Sequence, residues 1–296
     1  MQAAGRGRAV VAGVDGSECA LHAARWAAVE AARRRVLLRL VSAYEWPVGR
    51  HVGDSEVEFE HREVLGQVTR DRLDTAARAA SAVAPGLEVE RVAVWGSPAR
   101  VLLRESAHAE PLVLGRRGGL AGLLTSSVAD HLVTRAECPV VVVRQLAPDT
   151  PPSPDAPVVV GVDGSPAGDA AVVFAFDTAA RWEVPLVALH AWSDLTLDPR
   201  VAAVLDFDPV GERELLAERL AGWAGKYPEV PVHRRVVRDR PADALITLSE
   251  DARLVVVGSR GRGGLVGAVL GSVGRAVLHR AHCPVAVVRP SAGGGR

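Results

Sequence analysis

The chain has 296 residues, 48% of them hydrophobic and 4% aromatic, and its 35 basic and 35 acidic residues leave no formal net charge. This length suits two domains, and this composition is typical of globular α/β proteins rather than disordered chains. A neutral chain whose apolar runs are short, and whose first residues lack an apolar signal core, predicts a cytoplasmic protein without nucleic-acid or membrane partners.

The first half alternates predicted strands and helices. Its first apolar run, 9–14, ends in Asp15-Gly16-Ser17 and predicts a buried parallel strand, with Ser17 as the N-cap of the next helix. The later predicted elements are a helix to about 35, a strand at 36–43, a helix at 56–83, a strand at 87–94, a helix at 98–107, a strand at 111–114, a helix at 127–135 and a strand at 140–143.

The second half repeats strings of the first. VVAGVDGS (10–17) returns as VVVGVDGS (158–165), and CPVVVVR (138–144) returns as CPVAVVR (283–289). A repeat of this period indicates a duplicated domain. The predicted strands of the second half, with helices between them, are 158–162, 185–190, 230–237, 254–257 and 285–288.

Strands that alternate with helices predict a parallel sheet with right-handed crossovers. We expect two tandem doubly wound α/β domains, 1–144 and 158–290, with helices on both faces of each sheet. A Pro-rich linker at 145–157 joins them, and a loose tail at 291–296 follows. If the first and fourth strands are neighbours where the winding reverses, their carboxyl ends face one crevice, which is where such sheets bind ligands.

The second half has a glycine-rich loop after its fourth strand. Gly258-Ser259-Arg260-Gly261 is followed by nine residues, 262–270, and then by Gly271-Ser272. Glycines let backbone amides approach an anion, and a helix that opens at Ser272 would point its free amides at a phosphate. Arg260 adds positive charge. A glycine-rich turn that binds nothing is the alternative for such a loop alone.

Two standard nucleotide motifs are absent. The only lysine, Lys226, does not lie in a Walker P-loop, and no GxGxxG follows the first strand. The spacing in the second half, Gly-x2-Gly-x9-Gly-Ser, instead resembles the nucleotide-binding members of the universal stress protein family, as do the VGVDGS opening and the CPV closing. The resemblance covers nearly the whole chain outside the linker and tails.

This resemblance implies, for each half, a five-stranded parallel sheet of order 3-2-1-4-5 with ATP, possibly with Mg²⁺, at its carboxyl edge. It implies that Asp163, with Gly161 beside it, holds the adenosine side, and that the backbone at Leu189 borders adenine. The residues it implies for the phosphates are Gly258, Gly261, Gly271, Ser272 and Val273.

The first half departs from this pattern. Only seven residues separate Gly118 from Ser126, and Ser126 stands where the second half has Gly271. We therefore predict weaker or absent ATP binding in the first half. Its corresponding candidate residues are Gly13, Asp15, Val41, Gly115, Gly118, Ser126 and Ser127.

Other polar residues have simpler interpretations. His279, His282 and Cys283 are close together, but the matching stretch of the first half lacks both histidines, so we predict no metal site. His190 is interpreted as a strand-end packing residue. Cys138 and Cys283, at matching positions, are interpreted as buried thiols rather than a disulfide.

The last strand of each half is apolar and is expected at a sheet edge, where exposed strands pair. In the family that it resembles, this strand pairs across subunits, so we expect an internal pseudo-dimer and a homodimer. Our main functional hypothesis is an ATP-binding stress-response sensor or regulator without a catalytic residue. The alternatives are a slow ATPase or nucleotide-transfer enzyme, and a scaffold that binds no nucleotide.

Overall fold

The structure, a computed structural model, describes residues 8–45, 55–116, 127–144, 153, 155–192, 209–261 and 270–290. The chain divides into two compact units, Met1–Gln145 and Leu146–Arg296, which are called domain 1 and domain 2 below. Most of the predicted linker and all of the predicted tail lie outside the described residues.

Domain 1 alternates strands and helices as its sequence predicts. Its strands are β1 (Ala9–Gly13), β2 (Leu37–Tyr44), β3 (Val89–Trp95), β4 (Ala109–Arg116) and β5 (Val140–Arg144). Its helices are α1 (Glu18–Arg34), α2 (Ser55–Val83), α3 (Pro98–Glu105) and α4 (Ser127–Arg135), and a short 3₁₀ turn, Ser106–His108, follows α3.

Domain 2 repeats the same succession of elements. Its strands are β6 (Val158–Gly161), β7 (Leu186–Trp192), β8 (Val232–Arg238), β9 (Leu254–Gly258) and β10 (Val285–Val288). Its helices are α5 (Pro166–Trp182), α6 (Pro209–Lys226), α7 (Pro241–Leu248) and α8 (Ser272–Arg280).

Within its described residues each domain forms a parallel sheet of five strands. The order is β3-β2-β1-β4-β5 in domain 1 and β8-β7-β6-β9-β10 in domain 2, which confirms the predicted order 3-2-1-4-5. The winding reverses between β1 and β4 and between β6 and β9, so a crevice opens at the carboxyl ends of each pair. β5 and β10 end the order of their domains; their pairing across domains or chains stays a prediction.

Burial follows position in the sheet. The residues of β1 and β9 are apolar and almost wholly buried, as expected for central parallel strands with helices on both faces. The strands at the opposite edge, β3 and β8, instead have exposed charged residues between partly buried valines. The core is largely Ala, Val and Leu, and Phe176 is its largest fully buried side chain.

Both first helices have a serine N-cap, which the sequence predicts for Ser17 and which Ser165 repeats in domain 2. The Ser17 hydroxyl accepts a hydrogen bond from the amide of Ala20 at 3.2 Å, and Ser165 accepts one from Gly168 at 3.0 Å. These side chains satisfy amides that the first turn of a helix leaves without an intrahelical partner.

Some strands are longer than their apolar cores predict. β4 begins at Ala109 and ends at Arg116, where it pairs with Arg144, whereas the sequence predicts only 111–114. The extra residues, Ala109, Glu110, Gly115 and Arg116, lie outside the continuous apolar run, so an apolar-run criterion misses them although backbone pairing continues. α3 is shorter than predicted because the chain tightens into the 3₁₀ turn after Glu105.

In the part of the chain that the structure describes, no helix combines the length and the apolar character that crossing a bilayer requires.

Candidate functional site: two cavities at matching sheet edges

Domain 2 contains a cavity of about 330 Å³ at the carboxyl ends of β6, β7 and β9. The strand ends, the start of the glycine-rich loop and the start of α8 contribute every second-half residue that is predicted for nucleotide binding: Gly161, Asp163, Leu189, Gly258, Arg260, Gly261, Gly271, Ser272 and Val273. Apolar residues of α7, Pro241 and Leu245, complete the wall. The sequence motifs do not identify these two, because no motif links α7 to the loop.

The two carboxylate oxygens of Asp163 have different surroundings in this cavity. Its Oδ1 accepts hydrogen bonds from the Ser165 amide at 2.9 Å and the Ser165 hydroxyl at 2.7 Å. Its Oδ2 faces the loop, because a Cβ added to Gly261 would lie 2.8 Å from that oxygen. One carboxylate oxygen therefore holds the turn, and the other lies beside Gly261 at the start of the glycine-rich loop.

The first helical turn of α8 borders the cavity. The Gly271 amide donates to the Ser259 carbonyl at 3.1 Å, and the first intrahelical bond runs from the Arg275 amide to the Gly271 carbonyl at 2.9 Å. The amides of Ser272 and Val273 precede that bond, and both residues line the cavity. Such amides and the helix dipole together favour an anion.

Packing explains the glycine at the start of the loop but not the glycine at its end. A Cβ on Gly258 would lie 2.8 Å from the carbonyl carbon of Ala167, so packing against α5 already requires glycine there. Among the described residues, a Cβ on Gly271 would meet the Cα of Arg260 first, at 3.6 Å, which is an ordinary contact. The backbone of Gly271, at φ −58° and ψ 152°, is open to any residue. The protein's own packing therefore leaves Gly271 unexplained.

His190 ties the cavity wall to α6. It is 8% exposed, its Nδ1 donates to the Val162 carbonyl at 2.7 Å, and its Nε2 lies 3.2 Å from Oε2 of Glu212. Val162 immediately precedes Asp163, and Leu189, which lines the cavity, precedes His190. The interpretation of His190 as a strand-end packing residue agrees with this geometry, but the sequence does not reveal the partnership with Glu212.

An arginine covers the Asp-Gly turn in each domain. A Cβ on Gly164, which has φ +72°, would overlap the guanidinium of Arg219 on α6. A Cβ on Gly16, at φ +84°, would lie 2.8 Å from Cδ and Nε of Arg72 on α2. Both positions need glycine because φ is positive, whereas the flexible arginine side chains can move away from a Cβ. Sequence reasoning misses both arginines because they belong to helices far along the chain.

Domain 1 contains a matching cavity of about 360 Å³ at the carboxyl ends of β1, β2 and β4. It brings together four candidate residues, Gly13, Asp15, Val41 and Gly115. The candidates Gly118 and Ser126 lie outside the described residues, and Ser127 is described only as the first residue of α4.

The turn in domain 1 is the counterpart of the turn in domain 2. Asp15 Oδ1 accepts hydrogen bonds from the Ser17 amide at 2.9 Å and its hydroxyl at 2.6 Å. A Cβ on Gly115 would overlap the Cys19 carbonyl, just as Gly258 is confined by α5. The cavity also contains Arg116, at the position that Ser259 occupies in domain 2. The Arg116 side chain is only 6% exposed, and its Nη1 lies 4.0 Å from Oδ1 of Asp130.

The cysteines are buried and form no disulfide. Burial raises the pKa of Cys138 and of Cys283 to about 12. Within the described residues, no group of three or more His, Cys, Asp or Glu side chains is arranged to hold a metal ion.

Comparison with known proteins gives a family match for both halves. The model of the "Universal stress protein family" matches residues 7–144 and again residues 156–289. A universal stress protein of Mycobacterium tuberculosis is 44% identical over 293 residues, which are 95% of this chain and 97% of that protein. A second one from the same species is 40% identical over 305 residues, 95% of this chain and 94% of that protein.

Solved structures share the fold. A universal stress protein from Archaeoglobus fulgidus superposes with a TM-score of 0.71 at 19% identity, over 95% of this chain and 98% of that one. At this identity the likeness concerns the fold alone.

Proposed function

This chain belongs to the universal stress protein family, and from that premise we propose that domain 2 binds ATP and that the protein acts as a nucleotide-dependent sensor or regulator in stress responses. The observation that carries the proposal is the start of α8. Gly271 lines the cavity, and neither its backbone conformation nor its packing against the described residues requires a glycine. A phosphate that approaches the main chain closely would require one.

The phosphate end is supported by donors rather than by a lysine. The amides of Ser272 and Val273 open onto the cavity, and Arg260 lines it from the strand side. A hydrogen bond to a charged phosphate oxygen contributes about 1.5–3 kcal/mol, so a few such bonds suffice for micromolar affinity. These residues fit a polyphosphate held mainly by backbone groups.

The adenosine end is supported by Asp163 and the end of β7. We assign to the second carboxylate oxygen of Asp163, which borders the cavity beside Gly261, the role of accepting hydrogen bonds from ribose hydroxyls. The apolar side chains of Leu245 and Ala191 offer a surface for the base. The Leu189 carbonyl already accepts from the Val162 amide at 2.9 Å, which fixes the edge of the strand against which the base would lie.

The test starts from the purified full chain. We expect denaturation to release bound nucleotide. After the nucleotide has been removed from the protein, we expect calorimetry to give one ATP bound per domain 2. Absence of both bound nucleotide and ATP binding would contradict the proposal. Sustained phosphate release at a rate proportional to protein would favour the ATPase alternative over the sensor.

A further inference from the structure

The strand at the outer edge of domain 2, β8, is strongly basic. It carries three arginines and no acidic residue, and its exposed side chains are His233, Arg234, Arg235 and Arg238. Within the described residues, β8 pairs with β7 alone, so the backbone N–H and C=O groups on its other side have no strand partner. An edge of this kind is able to accept a further strand.

The corresponding strand of domain 1 neutralises its charges within its own domain. β3 and β8 both have seven residues, and Arg91 is the third residue of β3 as Arg234 is the third residue of β8. The guanidinium of Arg91 lies 2.6 Å from the carboxylate of Asp74 on α2, and Glu90 pairs with Arg39 of β2 at 2.5 Å. Both charged side chains of β3 therefore have partners inside domain 1.

Domain 2 lacks the acid that would do the same for β8. Asp74 lies two residues after Arg72, the arginine that covers the Asp-Gly turn of domain 1. The same step from Arg219, which covers the turn of domain 2, leads to the uncharged Ala221. Among the described residues, neither Arg234 nor the arginine that follows it forms an ion pair. The positive charge of this edge is thus not neutralised within the described part of domain 2.

The two adjacent arginines lie on opposite faces of the sheet. Arg234 is in register with Ala188 of β7, and Arg235 is in register with Leu189. Successive side chains of a strand point to opposite faces, and residues in register on neighbouring strands are close enough for their side chains to interact. A strand added beside β8 would therefore place one carboxylate next to each arginine if it had two acidic residues in succession.

We propose that the outer edge of β8 binds an extended acidic segment of another protein, which adds to the sheet as a further strand with adjacent acidic residues beside Arg234 and Arg235. Main-chain hydrogen bonds hold the segment, and the arginines select its charge. They also repel a second copy of β8, because like charges would then lie opposite each other. This inference goes beyond the proposed function and does not depend on ATP binding.

A peptide fits this edge better than a single-stranded nucleic acid does. The unpaired N–H and C=O groups of an edge strand match the repeat of another peptide backbone. Proteins that bind single strands without sequence preference add aromatic side chains on which the bases stack, and β8 contains none.

The experiment uses the full chain and a fluorescently labelled synthetic peptide of seven residues, the length of β8, made of valine and glutamate with two adjacent glutamates at its centre. We expect saturable binding by fluorescence anisotropy, weakening several-fold at 0.5 M salt because salt screens exposed charges. The same peptide with glutamine in place of glutamate should bind about fivefold more weakly or worse, since two exposed ion pairs are lost.

Backbone N-methylation separates strand addition from simple attraction of charge. Two glutamate peptides carry N-methyl groups at alternate residues, one at odd and the other at even positions. Alternate residues of an added strand direct their N–H groups to opposite sides, so the peptide whose methyl groups face β8 should lose binding while the other retains it.

Variants then assign the surface. Replacing both arginines, Arg234→Glu with Arg235→Glu, should weaken binding of the glutamate peptide about tenfold or more and create binding of the matching lysine peptide. The control is Arg100→Glu with Arg104→Glu, which changes two exposed arginines of α3 and alters the net charge equally. It should leave binding of the glutamate peptide unchanged.

The peptide measurements decide the inference even if the β8 variant fails to fold. It is overturned if the glutamate peptide binds no more tightly than the glutamine peptide, or if both methylated peptides bind equally. It is also overturned if an oligothymidylate of similar charge binds while the glutamate peptide does not, or if the α3 control weakens binding as much as the β8 variant.

Discussion

The turn after the first strand is built alike in the two domains. Asp15 accepts from the amide and hydroxyl of Ser17 at 2.9 and 2.6 Å, and Asp163 accepts from those of Ser165 at 2.9 and 2.7 Å. Each serine also caps the following helix. Because these bonds stabilise the start of a helix with or without a ligand, the Asp-Gly-Ser string has a structural role in both domains. Its presence alone does not indicate nucleotide binding.

The end of the cavity at the glycine-rich loop differs between the two domains. There a bound ligand explains the choice of residue better than packing does. Gly258 and Gly115 are both confined by a helix backbone, so packing retains glycine at either position. Gly271 has no such constraint, and domain 1 has Ser126 in its place. A comparison of the two duplicated domains therefore distinguishes residues that the fold requires from residues that only a bound molecule requires.

The strongest test of this comparison is Gly271→Val. The added side chain fits against the Arg260 backbone but narrows the space between the helix start and the loop. We expect ATP affinity to fall by about 100-fold or more, since two or more phosphate hydrogen bonds of about 1.5–3 kcal/mol are lost. Isothermal titration calorimetry measures the change.

The matched control is Gly222→Ala in α6, where a Cβ meets nothing within 4 Å. Helix propensity predicts a stabilisation of roughly 0.5–1 kcal/mol and no change in ATP affinity. If Gly271→Val keeps its fold by circular dichroism and its affinity for ATP, the phosphate assignment of α8 is wrong.

A second test compares the two aspartates. Asp163→Asn keeps an oxygen that accepts from the Ser165 amide and replaces the other, charged oxygen by an NH2 group, which donates instead of accepting. We expect about a tenfold loss of ATP affinity, the difference between charged and neutral hydrogen bonding. Asp15→Asn in domain 1 should leave ATP affinity in the same chain unaltered. Equal losses from both substitutions would mean that the domains contribute equally to ATP binding.

Much of this site could be predicted from the sequence because its parts are local strings at strand ends. Gly258, Gly261, Gly271 and Ser272 follow one motif, and the repeat places Asp163 after a matching strand. The order of parallel strands then brings both strings to one crevice, as the structure confirms geometrically. The role of these residues in ATP binding stays a prediction.

The contacts between distant elements could not be predicted in the same way. His190 reaches the Val162 carbonyl and Glu212, and Arg219 covers Gly164, yet helical periodicity does not fix which residue of α6 meets which strand end. The position of Arg116 could not be predicted for another reason. It follows an apolar run and was expected in a loop, whereas backbone pairing extends the strand and buries it.

A third test concerns the support of the domain 2 cavity. His190→Ser copies Ser42 of domain 1 and removes the donor to the Val162 carbonyl and the partner of Glu212. Leaving a buried carbonyl without its donor costs about 1–3 kcal/mol, so the urea midpoint of domain 2 should fall. ATP affinity should fall less than with Asp163→Asn, because the wall moves while the ligand contacts remain.

The control for this test is Glu212→Gln, which keeps a polar partner near Nε2 and leaves the bond from Nδ1 to Val162 intact. Its urea midpoint should stay closer to that of the unmodified chain. A larger loss from Glu212→Gln than from His190→Ser would show that the carboxylate, not the carbonyl bond, anchors the wall.

The smallest effect is expected where the domains are most alike, at the thiols of Cys138 and Cys283. Burial raises the pKa of each to about 12, so both are protonated at pH 8 and should resist iodoacetamide in the folded protein but react in urea. Since an unfolded thiol titrates near pH 8.5–9, stability is intact below that pH and is lost as pH rises toward 12, by roughly 1.4–2 kcal/mol per thiol at pH 10. Cys138→Ala and Cys283→Ala should each flatten this alkaline loss by a similar amount in urea titrations. If mass spectrometry finds one thiol labelled much faster than the other in the folded chain, the two matching positions are not equally shielded from solvent.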